Sequence, residues 1–508
     1  MKLRALLATL VAAAVALSGC LAATTDGEAP SAASVPDAAS RLVAHAASGL
    51  VPIPASAASL AAKVLDVGVE GGEPTIGVDA QGAIYVTGGG ARVYKSTDKG
   101  ESWKDVSDRS KPRADFDPYL WLDPLTDRVF SAPLYVACTN LMWSDDGGAS
   151  WGWNPVAGCG LPGHDHQSLV TGPPPEGVTT SGYPNVVYYA YNSFRGDGTR
   201  VVRSLDGGKT WSLPDAKVSD GDDCQSALNG APAVAPDGTV YVPMARCEGL
   251  RIGVSKDGGV TWTTKDVDDV GMLGVKPATP LDDTPFTGNP GMHVDEAGNA
   301  YALFPGKDGR AYLTHSRDGG ETWSRPVGAS PPQVNGTVFW SVVAGAEGRV
   351  ALAYFGTTAD TGAWPAPSAH FAPPDTRWNL YLAVTEDALA GDPVFTTLQV
   401  NPDDDPVQIG CLWLSGGVND CRNLADFFDI TERNGRAYVV YADGCKACSS
   451  DADSRRSDLR VVVVDAGPSL HGGALGPYAG ETFAGAKAKA AAAAPAATSI
   501  GWRVADAT

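Results

Sequence analysis

Short apolar runs separated by turn residues recur from about residue 63 to residue 467, and none of them holds a helical period. The stretch from Ala231 shows the grammar most clearly. Ala231 to Ala235 is a short apolar run, Pro236-Asp237-Gly238 has turn chemistry, and Val240 to Met244 is a second run. Leu250 to Ser255 alternates as a third, and Thr261-Trp262-Thr263 begins a fourth. The same order returns in Met292 to Asp295, Asn299 to Phe304, Arg310 to Ser316 and Thr322-Trp323. Period-two alternation broken by Gly, Pro and Asp predicts antiparallel strands joined by tight turns. The fold class is therefore all-β.

A string of the form Ser-x-Asp-x-Gly-x-(Ser/Thr)-Trp sits between the third and fourth strands and occurs five times. Its copies are Ser96, Asp98, Gly100, Trp103; Ser144, Asp146, Gly148, Trp151; Ser204, Asp206, Gly208, Trp211; Ser255, Asp257, Gly259, Trp262; and Ser316, Asp318, Gly320, Trp323. The Asp residues lie 48, 60, 51 and 61 residues apart, the length of one four-stranded propeller blade with variable loops. Ser and Asp side chains bond nearby backbone N–H groups, Gly accepts positive φ, and Trp supplies a large anchor, so the string is a folding device. A sixth blade fits Val338 to Ala344, Val350 to Phe355, Leu380 to Val384 and Val394 to Val400, with Thr385-Glu386-Asp387 as a decayed turn. A seventh fits Asp426 to Thr431, Ala437 to Tyr441 and Leu459 to Val464, with the strand around Val64 to Val69 closing the ring against it. The prediction is a β-propeller of seven four-stranded antiparallel blades, with six or eight as alternatives.

The chain ends read differently. Lys2 and Arg4 precede an apolar stretch from Ala5 to Leu17 that is short for a membrane span and closes on Leu17-Ser18-Gly19-Cys20. Residues 1–19 are read as an export signal, and the string resembles the lipobox of prokaryotic lipoproteins, which implies acylation of Cys20. The expected address is the cell surface or periplasm, with the membrane reached through the lipid alone. Residues 20–62 are Ala-, Ser- and Pro-rich and form a tether, residues 63–467 the propeller, and residues 468–508 an Ala-rich tail. A formal net charge of −20 argues against nucleic acid or an anionic lipid surface as partner. Eight cysteines remain beside Cys20, and proximity pairs Cys138 with Cys159, Cys224 with Cys247, Cys411 with Cys421 and Cys445 with Cys448.

The Asp boxes and their strand grammar resemble the sialidase-like, or BNR-repeat, superfamily over roughly Glu73 to Val464. In that superfamily the boxes lie away from the ligand face, so they speak for fold and not for chemistry. Exo-sialidases also carry an Arg-Ile-Pro string in the first blade, an arginine triad for the sialate carboxylate, and a Tyr–Glu pair with an acid/base Asp. The first blade here has Arg92 alone, and Arg251-Ile252-Gly253 lacks the Pro and sits on a third strand. The catalytic motifs of a sialidase are not recognisable in this chain.

Polar residues at the starts of inner strands converge on the channel of a propeller. Asp115 and Asp117, then His164, Asp165, His166 and Gln167, then Asn229, Asn289, Asp426 and Asp429 occupy such places. Asp115, Asp117, Asp165, Asp426 and Asp429 are the candidate acids and bases. Alternation on a strand would turn His164 and His166 inward and Asp165 away. Asp117, His164 and His166 are the candidate metal ligands, with a divalent cation such as calcium as the candidate cofactor. The same side chains equally suit hydrogen bonding to a sugar, or mere satisfaction of strand ends. Trp340 and Trp364, with Phe339, Phe371, Trp378, Trp151 and Trp153, are candidate stacking surfaces, and the insertion Gly356 to Asp375 is the candidate ligand loop. Two functions stay open: a monomeric module that binds a glycan or protein ligand at the channel mouth, and a glycoside hydrolase using channel-mouth carboxylates.

Overall fold

The computed structural model describes residues 60–111, 117–135, 138–159, 164–193, 198–219, 229–246, 249–267, 289–306, 308–359, 372–412, 421–444 and 457–480. Cys20, Asp115, Trp364, Phe371, Cys224, Cys247, Cys445 and Cys448 lie outside them. The described strands form seven antiparallel sheets, each a four-stranded path, and three of these carry one extra short strand. Blade 1 runs outward through Thr75–Val78, Ile84–Gly88, Arg92–Ser96 and Lys104–Asp105. Blades 2 to 6 repeat this order from the inner strands Leu120–Leu122, His164–Gly172, Ala233–Val234, Gly291–Val294 and Gly336–Ala344. Among the described residues the only helical elements are two 3-10 turns, Gly89–Ala91 and Tyr478–Gly480, and no helix is long and apolar enough to cross a membrane.

Blade 7 is made from both ends of the ring. Asp429–Arg433, Arg436–Asp443 and Asp458–Pro468 supply its first three strands, and Ala61–Glu70 pairs antiparallel with Asp458–Pro468 as the outermost. Inner strands of neighbouring blades touch all the way round, blade 7 against blade 1 included. Seven blades and strand exchange at the closure are thus what the sequence pattern predicts. Beyond residue 467, Ala474–Leu475 pairs with Asp458–Pro468, and Tyr478 is buried in the cluster between blades 7 and 1.

The core lies between blades rather than within one sheet. Leu65 and Tyr438 of blade 7 pack with Ile76 and Val86 of blade 1, while Val170 and Tyr188 of blade 3 pack with Val240 and Val242 of blade 4. Tyr85, Phe130, Tyr188, Tyr241, Tyr301, Tyr354 and Tyr438 place one aromatic on each second strand, and all are at most 1% exposed. Burying a large apolar side chain there contributes roughly 1.5–3 kcal/mol.

The five Asp boxes share one geometry. The Ser hydroxyl donates to the Asp carboxylate at 2.8–2.9 Å and accepts the N–H of the conserved-offset Gly at 2.8–2.9 Å. The N–H of the residue before Trp donates to the same carboxylate at 2.8–2.9 Å. Thr385 and Asp387 keep the first of these bonds in blade 6, at 2.7 Å, without the Gly or Trp. The box tryptophans are half-buried, so they are smaller anchors than a fully buried ring. Their role is shared with the Gly at +4, which lies against the preceding blade. A Cβ at Gly208 would stand 2.8 Å from Leu141, and one at Gly320 2.8 Å from Val254.

Gly208 has φ 94°, and Gly177, in open space, has φ 82°. Gly208→Ala is therefore expected to cost about 1–3 kcal/mol more than Gly177→Ala, because both carry backbone strain but only the first meets a neighbour. Equal midpoints in urea titrations of the two variants would contradict this inter-blade role.

Two of the four expected pairs lie in the described residues and are bridged as proximity predicts, Cys138 to Cys159 and Cys411 to Cys421.

Candidate functional site

The strand starts at one end of the channel bring four blades' carboxylates around one imidazole. His166 lies in the inner strand of blade 3, where the pairing register shifts between Asp165 and Ser168. A bulge of this kind re-aims side chains, and it breaks the alternation expected of this strand. His166 has φ 47°, its backbone N–H donates to Asp117 of blade 2 at 3.2 Å, and its Nε2 lies 3.3 Å from Asp426 of blade 7. The amide of Asn289, before blade 5, lies 3.0 Å from its Nδ1. The Arg422 guanidinium donates to Asp426 at 2.5 Å.

His164 does not join them. It is fully buried and turned into its own blade, its ring stacked on Tyr191 with centroids 3.6 Å apart. Asp165, expected to point away, instead feels His166, Asp117 and Asp426; burial, opposed by His166 and reinforced by the two carboxylates, pushes its pKa up to about 6. Asp429 is also separate from the cluster. Its carboxylate accepts the N–H of Ile76 at 3.1 Å and of Ile430 at 2.9 Å, so it staples blade 7 to blade 1, and burial pushes its pKa up to about 7.

Two site residues escape the sequence reading, Glu73 and Arg422. Glu73 stands two residues before the inner strand of blade 1, the same kind of place that singles out Asp117, and that offset was the available signal. It is buried at 8% exposure. Burial, then the charges of Asp426 and Asp117, hold its carboxyl well above the usual range against the opposing pull of His166 and Arg422. Burial opposes charge on His166, yet the hydrogen bond with Asp426 and the charges of Asp165, Asp426 and Asp117 outweigh it and raise its pKa to about 10. Around neutral pH the cluster thus holds an imidazolium beside Glu73, whose carboxyl its surroundings make reluctant to ionise.

Backbone strain concentrates here. Glu73, Asp117, His166, Phe339 and Ala425 all have φ between 40 and 58°, and each lies at or just before an inner strand of a different blade. Non-glycine residues rarely adopt this region, at a cost of about 1–3 kcal/mol each, and such residues cluster at ligand sites.

The channel cavity below the cluster measures about 210 Å³ and is lined by His166, Gln167, Asn229, Asn289, Asp426 and Phe427, among others. Gln167 Nε2 donates to the carbonyls of Asp117 and Ala132 at 2.5 and 3.3 Å, and Asn229 Nδ2 to that of Gly230 at 3.1 Å. These bonds fix both amides, leaving Gln167 Oε1 and Asn229 Oδ1 as buried acceptors that no donor of the described residues reaches. Asp426 Oδ1 is a third, since Oδ2 takes both Arg422 and His166.

Among the described residues no group of three or more His, Cys, Asp or Glu side chains is arranged to hold a metal ion, and the separation of His164 from His166 dissolves the proposed ligand set. No arginine of the described residues lines the cavity. Arg92 pairs with Asp105 and Arg251 with Asp266, both on outer strands. The stacking candidates also move: Trp378 and Trp340 are core residues, 0% and 5% exposed, and Phe339 is buried. Trp153 is exposed, on the outer strand of blade 2, and Trp151 is half-buried in its Asp box.

Ring, boxes and channel define an Asp-box β-propeller. Residues 178–399 match the BNR repeat-like domain family. Among curated proteins no sequence relative matches. Solved structures similar to the chain include YCF48 bound to D1 peptide, at 12% identity and TM-score 0.43, covering 82% of this chain and 99% of that one. The BP39L lectin of Burkholderia pseudomallei follows at 14% identity and TM-score 0.42, covering 83% and 98%. The intramolecular trans-sialidase of Ruminococcus gnavus, in complex with oseltamivir carboxylate, stands at 15% and 0.38, covering 79% and 97%. Likeness of this degree decides nothing about ligand or chemistry.

Proposed function

We propose that the channel mouth binds the terminal residue of a neutral or amine-bearing glycan. The carrying observation is the set of buried acceptors, Gln167 Oε1, Asn229 Oδ1 and Asp426 Oδ1, on residues that line one cavity and without donors among the described residues. A buried acceptor left unpaired costs about 1–3 kcal/mol, so a ligand rich in hydroxyl or amine donors gains by filling it. The cavity is below the roughly 300–1,000 Å³ of drug-sized pockets, which suits one sugar ring rather than an extended chain. An acidic sugar is disfavoured, because the nearby cations, His166 and Arg422, already serve Asp426. Calorimetric titration with glucosamine, galactose and sialic acid is expected to give binding by one of the first two and none by the third. Tight sialic acid binding that survives Asp426→Asn would overturn this reading.

Glycoside hydrolysis is a second reading, favoured by Glu73. A buried carboxyl whose hold on its proton is strengthened by neighbouring carboxylates has the character of a general acid. Turnover of chromogenic glycosides that is lost in Glu73→Gln would establish it, whereas binding without turnover leaves the lectin-like reading.

We also propose that the protein works outside the cytoplasm, anchored through an acylated Cys20. Incorporation of labelled fatty acid should disappear in Cys20→Ser; undiminished labelling would exclude the anchor.

A further inference from the structure

The mouth-side end of blade 6 carries a second cleft, of about 600 Å³, outside the channel. It lies where Val350–Thr357 ends and Arg377–Thr385 begins, with Thr396–Gln399 beside them. Asn379 is one of its lining residues. This residue is 5% exposed, and its Oδ1 is buried with no donor among the described residues. Tyr381 lies two residues on along the same strand, its ring stacked on Tyr354 with centroids 5.7 Å apart and planes 11° apart. Gly356 leaves room for that ring, since a Cβ there would stand 3.0 Å from it.

The walls are polar and already oriented. Tyr381 donates its hydroxyl to Gln399 at 3.0 Å, and Gln399 donates to the carboxylate of Asp403 at 2.8 Å. Arg377 donates to the Asp403 carbonyl at 2.8 Å. Gln333, Thr357, Thr358 and Asp375 also line it. A chain of side chains holding one another in place lowers the entropy lost when a ligand binds.

We propose that this blade-6 cleft is a separate binding site for a neutral saccharide. The lining alternates donors with acceptors, which matches hydroxyl groups that act as both. Two carboxylates oppose an anionic ligand, and the Arg377 guanidinium opposes a cationic one. Asn379 Oδ1 is the acceptor the ligand would satisfy. The site shares no residue with the channel cavity, so it stands whether or not the mouth binds a sugar.

The test is crystallographic soaking and calorimetry of the whole protein with maltose, methyl galactoside, methyl mannoside and methyl fucoside, with glucuronate and glucosamine as charged controls. At least one neutral sugar is expected to give density in the cleft. Its affinity should fall about tenfold in Asp403→Ala, which is exposed and tolerant, and in Asn379→Ala, and stay unchanged in His166→Ala; tenfold corresponds to about 1.4 kcal/mol, the scale of one good hydrogen bond. Absence of every neutral sugar from the cleft, cleft binding that survives Asp403→Ala, or density for glucuronate or glucosamine in the cleft in preference to the neutral sugars would each overturn the proposal.

Discussion

Asp426→Ala is expected to destabilise the fold by about 3–5 kcal/mol, because it leaves two buried or half-buried cations, His166 and Arg422, without their shared carboxylate. The side chains of His166 and Asp426 are 4% and 6% exposed, so water cannot replace the lost partner. The pH dependence carries the same signature. His166 binds its proton more tightly folded than unfolded, so its contribution is full below about pH 6.5 and is lost as pH rises through about 10. Glu73, Asp165 and Asp429 also have raised pKa values, the latter two at about 6 and 7, and folding is disfavoured as each loses its proton. All four act with one sign, so their joint contribution falls as pH rises from about 4 to 10; His293 and His315, whose pKa values burial lowers, act oppositely but only below about pH 6.5, so the net fall should be clearest above it. Urea titrations across that range test it, and Asp426→Asn should flatten the upper limb. A parent protein most stable at pH 9 would refute the assignment of the cluster.

Trp378→Ala should destabilise by a similar about 3–5 kcal/mol. Trp378 is fully buried in the cluster joining blades 5, 6 and 7, and its Nε1 donates to the Gly410 carbonyl at 2.9 Å. Trp378→Phe keeps most of the buried area and loses that bond, so about 1–2 kcal/mol is expected. A shift in the urea midpoint at constant slope would report stability alone. If Trp378→Ala left the midpoint unchanged while weakening a ligand, the residue would have to be reassigned to a binding surface.

The architecture was readable because the Asp box is a local device: a Ser, an Asp and a Gly within five residues make bonds that need no distant partner. Blades 6 and 7 followed from strand pairs alone, and Thr385–Asp387 shows that the turn survives loss of its Trp. The site was half readable. Asp117, His166, Gln167, Asn229, Asn289 and Asp426 do converge, since strand starts point at the channel in any propeller. His164 and Asp165 exchanged roles because one extra residue in a strand reverses every face beyond it, and nothing in the string His-Asp-His-Gln announces a bulge. Asp429 looks like its neighbours in sequence; only the position of the Ile76 N–H, 353 residues away, makes it a staple. Trp378 and Trp340 show the limit of reading exposure from composition, since burial depends on which blade lies behind the strand.

The closure of the ring sets an order in time. Ser457 donates to the Gly71 carbonyl across 386 residues, beside the pairing of Ala61–Glu70 with Asp458–Pro468. At about 5–20 residues per second, the ribosome makes the first of these strands about 20–80 s before its partner exists. Blade 7 is therefore the last to be completed, and until then the first strand synthesised is a bare edge. Its pattern suits the wait: Lys63, Val64, Asp66, Gly68 and Glu70 face outward, and only Leu65 and Val67 are buried once paired. A strand with two hidden side chains and three charged ones offers a poor template for a passing chain. The charges along this edge therefore disfavour pairing between molecules in the interval before the ring closes.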